Sequence, residues 1–152
     1  TDTLSGIENV IAGNYNDSIK GNTVSNVLTG GLGSDSLYGG ADKVKDVFDY
    51  NAIAESTGNA RDKVYDFVAK VDKIDVSDID ANTTTGKAGD QAFTFTGTTA
   101  KANSVWYNVA DADGVTATKD IIIYGDVNGD AKADFEIGLV GVTSITASDM
   151  VL

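Results

Sequence analysis

Single apolar residues recur every nine positions in the first part of the chain, between stretches rich in Gly, Asn and Asp. Val10, Ile19, Leu28 and Leu37 occupy one column of this pattern, and each stands in the middle of a three-residue segment typical of a short strand. Self-similarity at a fixed period is the sequence signature of a solenoid, whose units stack on their neighbours. The pattern therefore predicts a coil with two short strands per turn, in which this column forms a narrow core.

Acidic or amide side chains form a second column, two positions before the apolar one. Its members are Glu8, Asp17, Asn26 and Asp35. Because two units close one turn, residues two units apart stack on the same side, with strands about 4.8 Å apart. Asp17 should then lie beside Asp35, where two carboxylates about 5 Å apart repel by roughly 3 kcal/mol. A coil with so thin a core cannot carry this repulsion easily, so the pattern predicts a divalent cation between the loops.

The unit GGLGSDSLY, from Gly30 to Tyr38, has a composition suited to calcium. Calcium takes about six to eight oxygen ligands in flexible geometry, backbone carbonyls included. Glycine lets those carbonyls turn toward an ion. A flexible Gly/Asn-rich linker is the alternative interpretation, but the fixed phase of the repeat favours a calcium-binding coil.

Charge and residue usage exclude several classes of function. Acidic residues outnumber basic ones 23 to 11, and the net charge of −12 disfavours a nucleic-acid partner. The chain has no Cys and no His, which excludes disulfides, thiolate ligands, zinc-protease motifs and Ser-His-Asp triads. No apolar run approaches the roughly 18 residues of a membrane span, so we expect no membrane insertion. Carboxylate pairs remain as catalytic groups, but nothing indicates a pocket for them, and we expect a non-catalytic domain.

The repeats and the segments that follow them resemble a known family. The unit GGLGSDSLY resembles the G-G-x-G-x-D-x-U-x repeat of calcium-binding RTX proteins. The segments VFDYNAIAES, RDKVYDFVAKVDKIDVSDID, GDVNGDAKADFEIGLVGV and DMVL resemble the C-terminal domain of serralysin-type secreted metalloproteases, a module shared by other type I secreted proteins. The resemblance implies an all-β fold, with a short parallel β-roll in residues 1–50 and antiparallel strands forming a sandwich-like cap in residues 51–152. Both parts would belong to one continuous structural domain.

The calcium ligands are expected on one side of the roll. The repeat places one ion between the loops of Asp17 and Asp35, and the resemblance implies a second ion between Asp35 and a cap formed by Glu55 and Asp62. Solvated surface acids are the alternative interpretation of Glu55 and Asp62. Backbone carbonyls would complete the two shells, from Ala12, Asn14, Gly30, Gly31, Leu32 and Gly33.

The opposite side of the roll departs from the family pattern. It carries Asn26 in place of an acid, followed by a fourth unit in which Val44 stands where the acid is due. The acid of that unit, Asp46, arrives two residues late. We therefore expect this side to bind calcium weakly or not at all.

The second half of the chain has the alternation of antiparallel strands, and an acidic segment, Asp126–Asp134, lies between two of them. Asp126, Asn128 and Asp130 of this segment stand at EF-hand spacing. However, Ala131 replaces the turn glycine, and Ile137 stands where a bidentate Glu is needed. The pair Asn128-Gly129 between two strand patterns favours a hairpin, with a calcium loop as the alternative.

The resemblance implies a non-catalytic calcium-binding module of a secreted bacterial protein. Such a module would fold on extracellular calcium and direct or support type I secretion of an upstream passenger through an ABC exporter. The segment Asp149, Met150, Val151 and Leu152 resembles the secretion signal of type I secreted metalloproteases. The predicted partners are calcium ions, the type I secretion machinery and the passenger, whose activity as a metalloprotease, lipase or epimerase stays open. A carbohydrate-binding or adhesion module is the alternative; it would need an exposed Trp106, which is more typical of a core residue.

Overall fold

A computed structural model describes residues 7–40, 42–84 and 88–152. Residues 1–6 and 41 of the predicted roll, and residues 85–87 of the predicted cap, lie outside the described residues. Short 3-10 helices occupy Ile53–Glu55 and Ala147–Asp149. The strands are β1 (Asn9–Ile11), β2 (Ser18–Lys20), β3 (Val27–Thr29), β4 (Ser36–Tyr38), β5 (Val47–Asp49), β6 (Asp62–Tyr65), β7 (Lys73–Asp75), β8 (Thr94–Phe95), β9 (Ser104–Ala110), β10 (Asp120–Gly125), β11 (Phe135–Leu139) and β12 (Met150–Val151).

Successive strands of the repeat segment alternate between two sheets, as the nine-residue period predicts. One sheet has the order β1-β3-β5-β7-β12 and is parallel throughout. The other has the order β2-β4-β6-β11-β10-β9-β8. Val10 pairs with Leu28 and Ile19 pairs with Leu37, so the predicted stacking of every second unit is confirmed.

The apolar column forms the core between the two sheets. Leu28, Leu37 and Phe48 are completely buried, and Ile19 is nearly so. Val10, on the edge strand β1, is only partly buried and packs against this core. The narrow core predicted from the repeat is therefore present.

The parallel roll continues beyond residue 50. Strand β6 pairs with β4 and β7 pairs with β5, and β11 and β12 then add to them in the same parallel direction. The loops that join these strands differ in length, so the nine-residue period disappears while the stacking persists. The division at residue 50 stays a prediction, but both sheets run across it.

Strands β9, β10 and β11 form the predicted antiparallel part. Ile123 pairs with Tyr107 on one side and with Ile137 on the other. Strand β8 differs, because it pairs with β9 in parallel. Left-handed backbone at Gly97 (φ 67°) and Asn103 (φ 53°) lets the connecting loop turn back so that β9 starts beside β8. The predicted all-β class, a parallel roll followed by antiparallel strands, is confirmed.

Helical structure in the described part of the chain is confined to the two short 3-10 turns. Neither turn, nor any other described segment, forms a helix with the length and apolar character needed to cross a membrane.

Candidate functional site

Three predicted acids form a ladder along one side of the roll, called the first ladder here: Asp17, Asp35 and Asp62. The main-chain N–H of Asp17 donates to Oδ1 of Asp35 at 2.7 Å. The N–H of Asp35 donates in the same way to Oδ1 of Asp62 at 2.8 Å. The carboxylates of Asp35 and Asp62 thus face the preceding coil, because strands β2, β4 and β6 are stacked in register.

One oxygen of each buried carboxylate in this ladder has no hydrogen-bond partner within the described residues. Oδ2 of Asp35 and Oδ2 of Asp62 are buried and make no hydrogen bond within the described residues. The ion pairs of the described residues are Arg61–Glu136 and Lys132–Asp130, and neither includes a ladder acid. Buried charges are normally paired or bound to a metal, so these orphan oxygens fit a cation.

Burial changes the protonation of these acids. It raises the pKa of Asp62 to about 8, with a further rise from the nearby carboxylates of Asp35 and Glu55. Burial also raises the pKa of Asp35, and the charge of Asp17 adds to that rise. Without a cation, such groups retain protons, because the charged form is poorly solvated.

Glu55 lies at the end of the 3-10 helix Ile53–Glu55, close to the first ladder. Its Oε2 accepts the main-chain N–H of Asn51 at 3.1 Å. Burial raises the pKa of Glu55, with contributions from Asp49 and Asp35. The structure therefore brings both cap residues implied by the family resemblance to the side of the roll that holds Asp35.

The two predicted ligand loops stack directly on each other. The N–H of Leu32 donates to the carbonyl oxygen of Gly13 at 3.0 Å. A Cβ at Gly31 (φ 84°) would lie 2.2 Å from that same oxygen, and a Cβ at Gly30 would lie 2.4 Å from Oδ2 of Asp35. Glycine is needed at both positions, because the Gly13 backbone and the Asp35 side chain approach too closely for a Cβ. The other loop residues predicted to supply carbonyls, Ala12, Asn14 and Gly33, lie in the same stacked loops.

Tyr50 belongs to this site, although no sequence pattern indicated it. The side chain is buried, and its hydroxyl makes no hydrogen bond within the described residues. Burial raises the pKa of Tyr50, and the carboxylates of Asp62, Asp35 and Glu55 raise it further. The hydroxyl oxygen thus lies near these carboxylates and is one more oxygen atom available to a metal ion. A lone Tyr between Asp49 and Asn51 carries no sequence signal for this role.

A second ladder occupies the opposite side of the roll and consists of Asn26, Asp46 and Asp72. The N–H of Asn26 donates to Oδ1 of Asp46 at 2.8 Å, and the N–H of Asp46 donates to Oδ1 of Asp72 at 2.9 Å. Oδ2 of Asp46 is buried and has no hydrogen-bond partner among the residues that the structure describes. Burial raises the pKa of Asp46 to about 6, with additional rises from Asp72 and Asp42.

The second ladder had a sequence signal that strict counting of nine residues misses. Asp46 stands two residues before Phe48, and Asp72 stands two residues before Ile74, as Asp35 stands before Leu37. Phe48 pairs with Leu28, so the two extra residues of the fourth unit are absorbed in its loop. The spacing from acid to core residue, rather than the period, identifies the ladder.

Two other acidic regions use their carboxylates in loop structure. In the hairpin between β10 and β11, Asp126 accepts the N–H of Asn103 and Asp134 accepts the N–H of Val127. The antiparallel pairing of the two strands confirms the hairpin, and a calcium ion in its loop stays the alternative. A cluster of Asp111, Asp113 and Asp120 has ligand atoms within 4.8 Å of one another. Both oxygens of Asp120 accept main-chain N–H groups.

The residues of the predicted secretion signal form part of the fold. Asp149 is buried and accepts the N–H of Thr146 at 2.7 Å. Met150 lies in the core and pairs with Ile74 of β7. Leu152 packs against the core, whereas Val151 is exposed on the edge strand β12. The predicted core position of Trp106 is likewise found, since it is 5% exposed and stacks on Tyr124.

Comparisons with known proteins identify the family of this chain. None of the curated proteins compared with this chain matches it. Among solved structures, the chain is similar to a subunit of the mannuronan C5-epimerase from Azotobacter vinelandii, with 20% identity, a TM-score of 0.46, and coverage of 98% of this chain and 86% of that one. The family model described as peptidase M10 serralysin C terminal matches residues 4–152. Because the match spans nearly the whole sequence, the chain belongs to the serralysin C-terminal family.

Proposed function

We propose that this chain is a non-catalytic module that folds on extracellular calcium and supports type I secretion of an upstream passenger. Membership in the serralysin C-terminal family supports the coarser part, a calcium-binding module of secreted bacterial proteins. The finer parts are the ion sites, the coupling of calcium to folding and the role in export. The two ladders support the first two of these.

The observation that carries the proposal is the stack of buried carboxylates without basic partners. Asp35 and Asp62 are fully buried and each keeps one oxygen without a hydrogen bond within the described residues. Breaking or omitting the counter-charge of a buried ion costs several kcal/mol. A bound cation would convert this cost into a stabilising contact, which makes the folded state dependent on the ion.

The donor set fits calcium. Every candidate donor is an oxygen, from carboxylates, main-chain carbonyls or the Tyr50 hydroxyl, and the chain has no Cys or His to favour a softer metal. Asp17 and Asp35, with carbonyls of their loops, would hold one ion. Asp35, Asp62 and Glu55 would hold a second. Calcium would supply only charge neutralisation and cross-linking of the loops.

We also propose an ion at the second ladder, against the expectation from sequence that this side binds weakly or not at all. Oδ2 of Asp46 has the same buried, unpartnered state as Oδ2 of Asp35. The carboxylates of Asp72 and Asp42 lie near enough to raise the pKa of Asp46. The carboxylates of Asp42, Asp46 and Asp72 therefore provide oxygen donors of the same kind as those of the first ladder.

Calcium-dependent folding follows from linkage. Extracellular calcium modules bind at about 10⁻⁴ to 10⁻³ M, so the sites would be empty where calcium is scarce. An ion that binds only the folded state, at one hundred times its Kd, contributes about 2.7 kcal/mol. Two or three such sites are comparable with the whole stability of a small domain, which is about 5–15 kcal/mol.

A calcium titration of the full chain tests this part. Far-UV circular dichroism and intrinsic fluorescence would follow folding in excess chelator, then with added calcium, with magnesium as the matched divalent control. We expect strand content and the fluorescence signal of buried Trp106 to be incomplete in chelator, and to become complete with calcium but not with magnesium. Full strand content in excess chelator would contradict calcium-driven folding.

The export role is tested with the chain fused behind a slow-folding passenger in cells that carry a type I exporter. Val151→Ser changes an exposed residue of the predicted signal, and Val109→Ser changes an exposed residue of β9 as the control. We expect the first variant to lower the passenger in the medium and the second to leave it unchanged. Calcium binding should be equal in both. Equal export of the two variants would show that Val151 is not part of the secretion signal.

A further inference from the structure

Asn26 occupies the position in the second ladder that corresponds to the acids Asp46 and Asp72. Its side chain is 1% exposed and lies between the coil that contains Glu8 and the coil that contains Asp46. A Cβ at Gly21 would lie only 2.4 Å from Oδ1 of Asn26, so the backbone is pressed against the side chain. The side-chain amide of Asn26 is therefore confined to one position.

The hydrogen bonds define which way this amide faces. Oδ1 accepts the main-chain N–H of Asn22 at 2.8 Å. An amide oxygen must accept and an amide nitrogen must donate, so Nδ2 is turned toward the preceding coil. There it lies 3.4 Å from the carbonyl oxygen of Ile7 and 3.4 Å from that of Glu8. The N–H of Val27 donates to the same Glu8 oxygen at 2.7 Å.

The acids of the same ladder face their preceding coils differently. Oδ1 of Asp46 and Oδ1 of Asp72 each accept a main-chain N–H from the coil before. At residue 26 the atom that faces the preceding coil meets carbonyl oxygens instead. A carboxylate oxygen in that place would be repelled by both carbonyls, whereas the positive end of an amide is attracted to them.

We infer that the Asn26 amide replaces a cation at this interface and thereby limits the number of ions that the second ladder takes. This inference rests on the proposed calcium-binding function. Carbonyl oxygens of the Ile7–Glu8 segment and a side-chain oxygen at residue 26 form an oxygen-lined space that needs a positive group at its centre. The amide nitrogen is that group in this chain. The coil of Glu8 is consequently fastened to the roll without calcium.

The substitution Asn26→Asp tests this inference in the full chain. It replaces the amide nitrogen by a carboxylate oxygen of the same size, which we expect to lower the melting temperature in chelator. In excess calcium the melting temperature should return to that of the wild type, because an ion now bridges the carboxylate and the two carbonyls. Isothermal titration and metal analysis after dialysis should then show one more calcium ion per chain than in the wild type.

Two control variants separate charge and packing from ion binding. Asn108→Asp adds the same charge at an exposed position of β9, and we expect neither an added ion nor a calcium-dependent rescue. Asn26→Ala removes the amide without adding a ligand, so stability should fall by the same amount with and without calcium. Calcium count should stay at the wild-type value in both.

The outcomes distinguish this inference from the proposed function. A wild-type chain that binds no calcium would overturn the proposed function and, with it, the inference. A wild-type chain that binds calcium, together with an Asn26→Asp variant that binds no additional ion, would overturn the inference alone. An Asn26→Asp variant that does not fold in excess calcium would also overturn it, because calcium should then take the place of the amide.

Discussion

Asp35 shows how one residue can stabilise or destabilise this fold, depending on the solution. It is fully buried, its Oδ1 accepts the N–H of Asp17, and its Oδ2 has no hydrogen bond within the described residues. A buried carboxylate without a counter-charge is costly, and the same carboxylate shared between cations is not. We therefore expect Asp35 to destabilise the fold without calcium and to stabilise it when calcium is bound.

The substitution Asp35→Asn isolates this charge. It keeps an oxygen that accepts the N–H of Asp17 but removes the negative charge. In excess calcium we expect the free energy of unfolding to fall by about 2.7 kcal/mol or more, the contribution of one site held at one hundred times its Kd. In chelator we expect it to stay the same or rise, because repulsion from Asp17 is relieved. Urea unfolding in both solutions measures the difference.

Asp78→Asn is the matched control, since Asp78 is an exposed acid in the turn after β7. It removes the same charge far from the ladders and should leave the calcium-dependent part of stability unchanged. If Asp35→Asn and Asp78→Asn lower the calcium-dependent part of the free energy of unfolding by equal amounts, Asp35 is not a ligand shared by two ions.

The loop between β4 and β5 shows how one element of the roll takes an insertion without loss of register. Val47 of β5 pairs with Val27 of β3, although the fourth unit is longer than the units before it. The residues Lys43, Val44 and Lys45 are exposed in the loop, whereas Asp46 is buried beside Asn26. Pairing of the strands, not the length of the loop, determines where the acid stands.

The substitution Asp46→Asn tests whether this loop binds an ion. The new side chain keeps an acceptor for the N–H of Asn26 and places an amide nitrogen at the orphan oxygen. We expect one calcium ion fewer per chain by titration, with the ions of the first ladder retained. An unchanged ion count would support the expectation from sequence that this side of the roll binds weakly or not at all.

The same elements show what the sequence could predict and what it could not. The core column and the contact between Asp17 and Asp35 were predictable because both follow from the period. Strands β6 and β7 were not placed in the roll, because loops of irregular length precede them and their partners are distant in sequence. Asp62 was found only through the family resemblance. Tyr50 was not found at all, since its hydroxyl meets the acids only after the coils have stacked.

At the scale of the whole molecule, the balance of charge makes folding depend on the solution. The chain has a net charge of −12. Asp35 and Asp62 of the first ladder and Asp46 and Asp72 of the second are buried. The ion pairs of the described residues, Arg61–Glu136 and Lys132–Asp130, lie outside the ladders. Protons and cations therefore compete for the same carboxylates, and each can relieve the same repulsion.

This competition predicts opposite effects of pH with and without calcium. Folding raises the pKa of Asp46 from 3.8 to about 6 and that of Asp62 from 3.8 to about 8. The folded chain without metal holds these protons more tightly than the unfolded chain. Their contribution to the free energy of unfolding is therefore complete below about pH 4 and is lost as pH rises toward 8. In chelator the melting temperature should thus fall between about pH 5 and pH 8, while the increase caused by calcium should grow. Scanning fluorimetry across this range measures both, with Asp62→Asn expected to flatten the upper half of the chelator profile. A melting temperature in chelator that rises toward pH 8 would show that the buried ladder acids are not protonated in the metal-free fold.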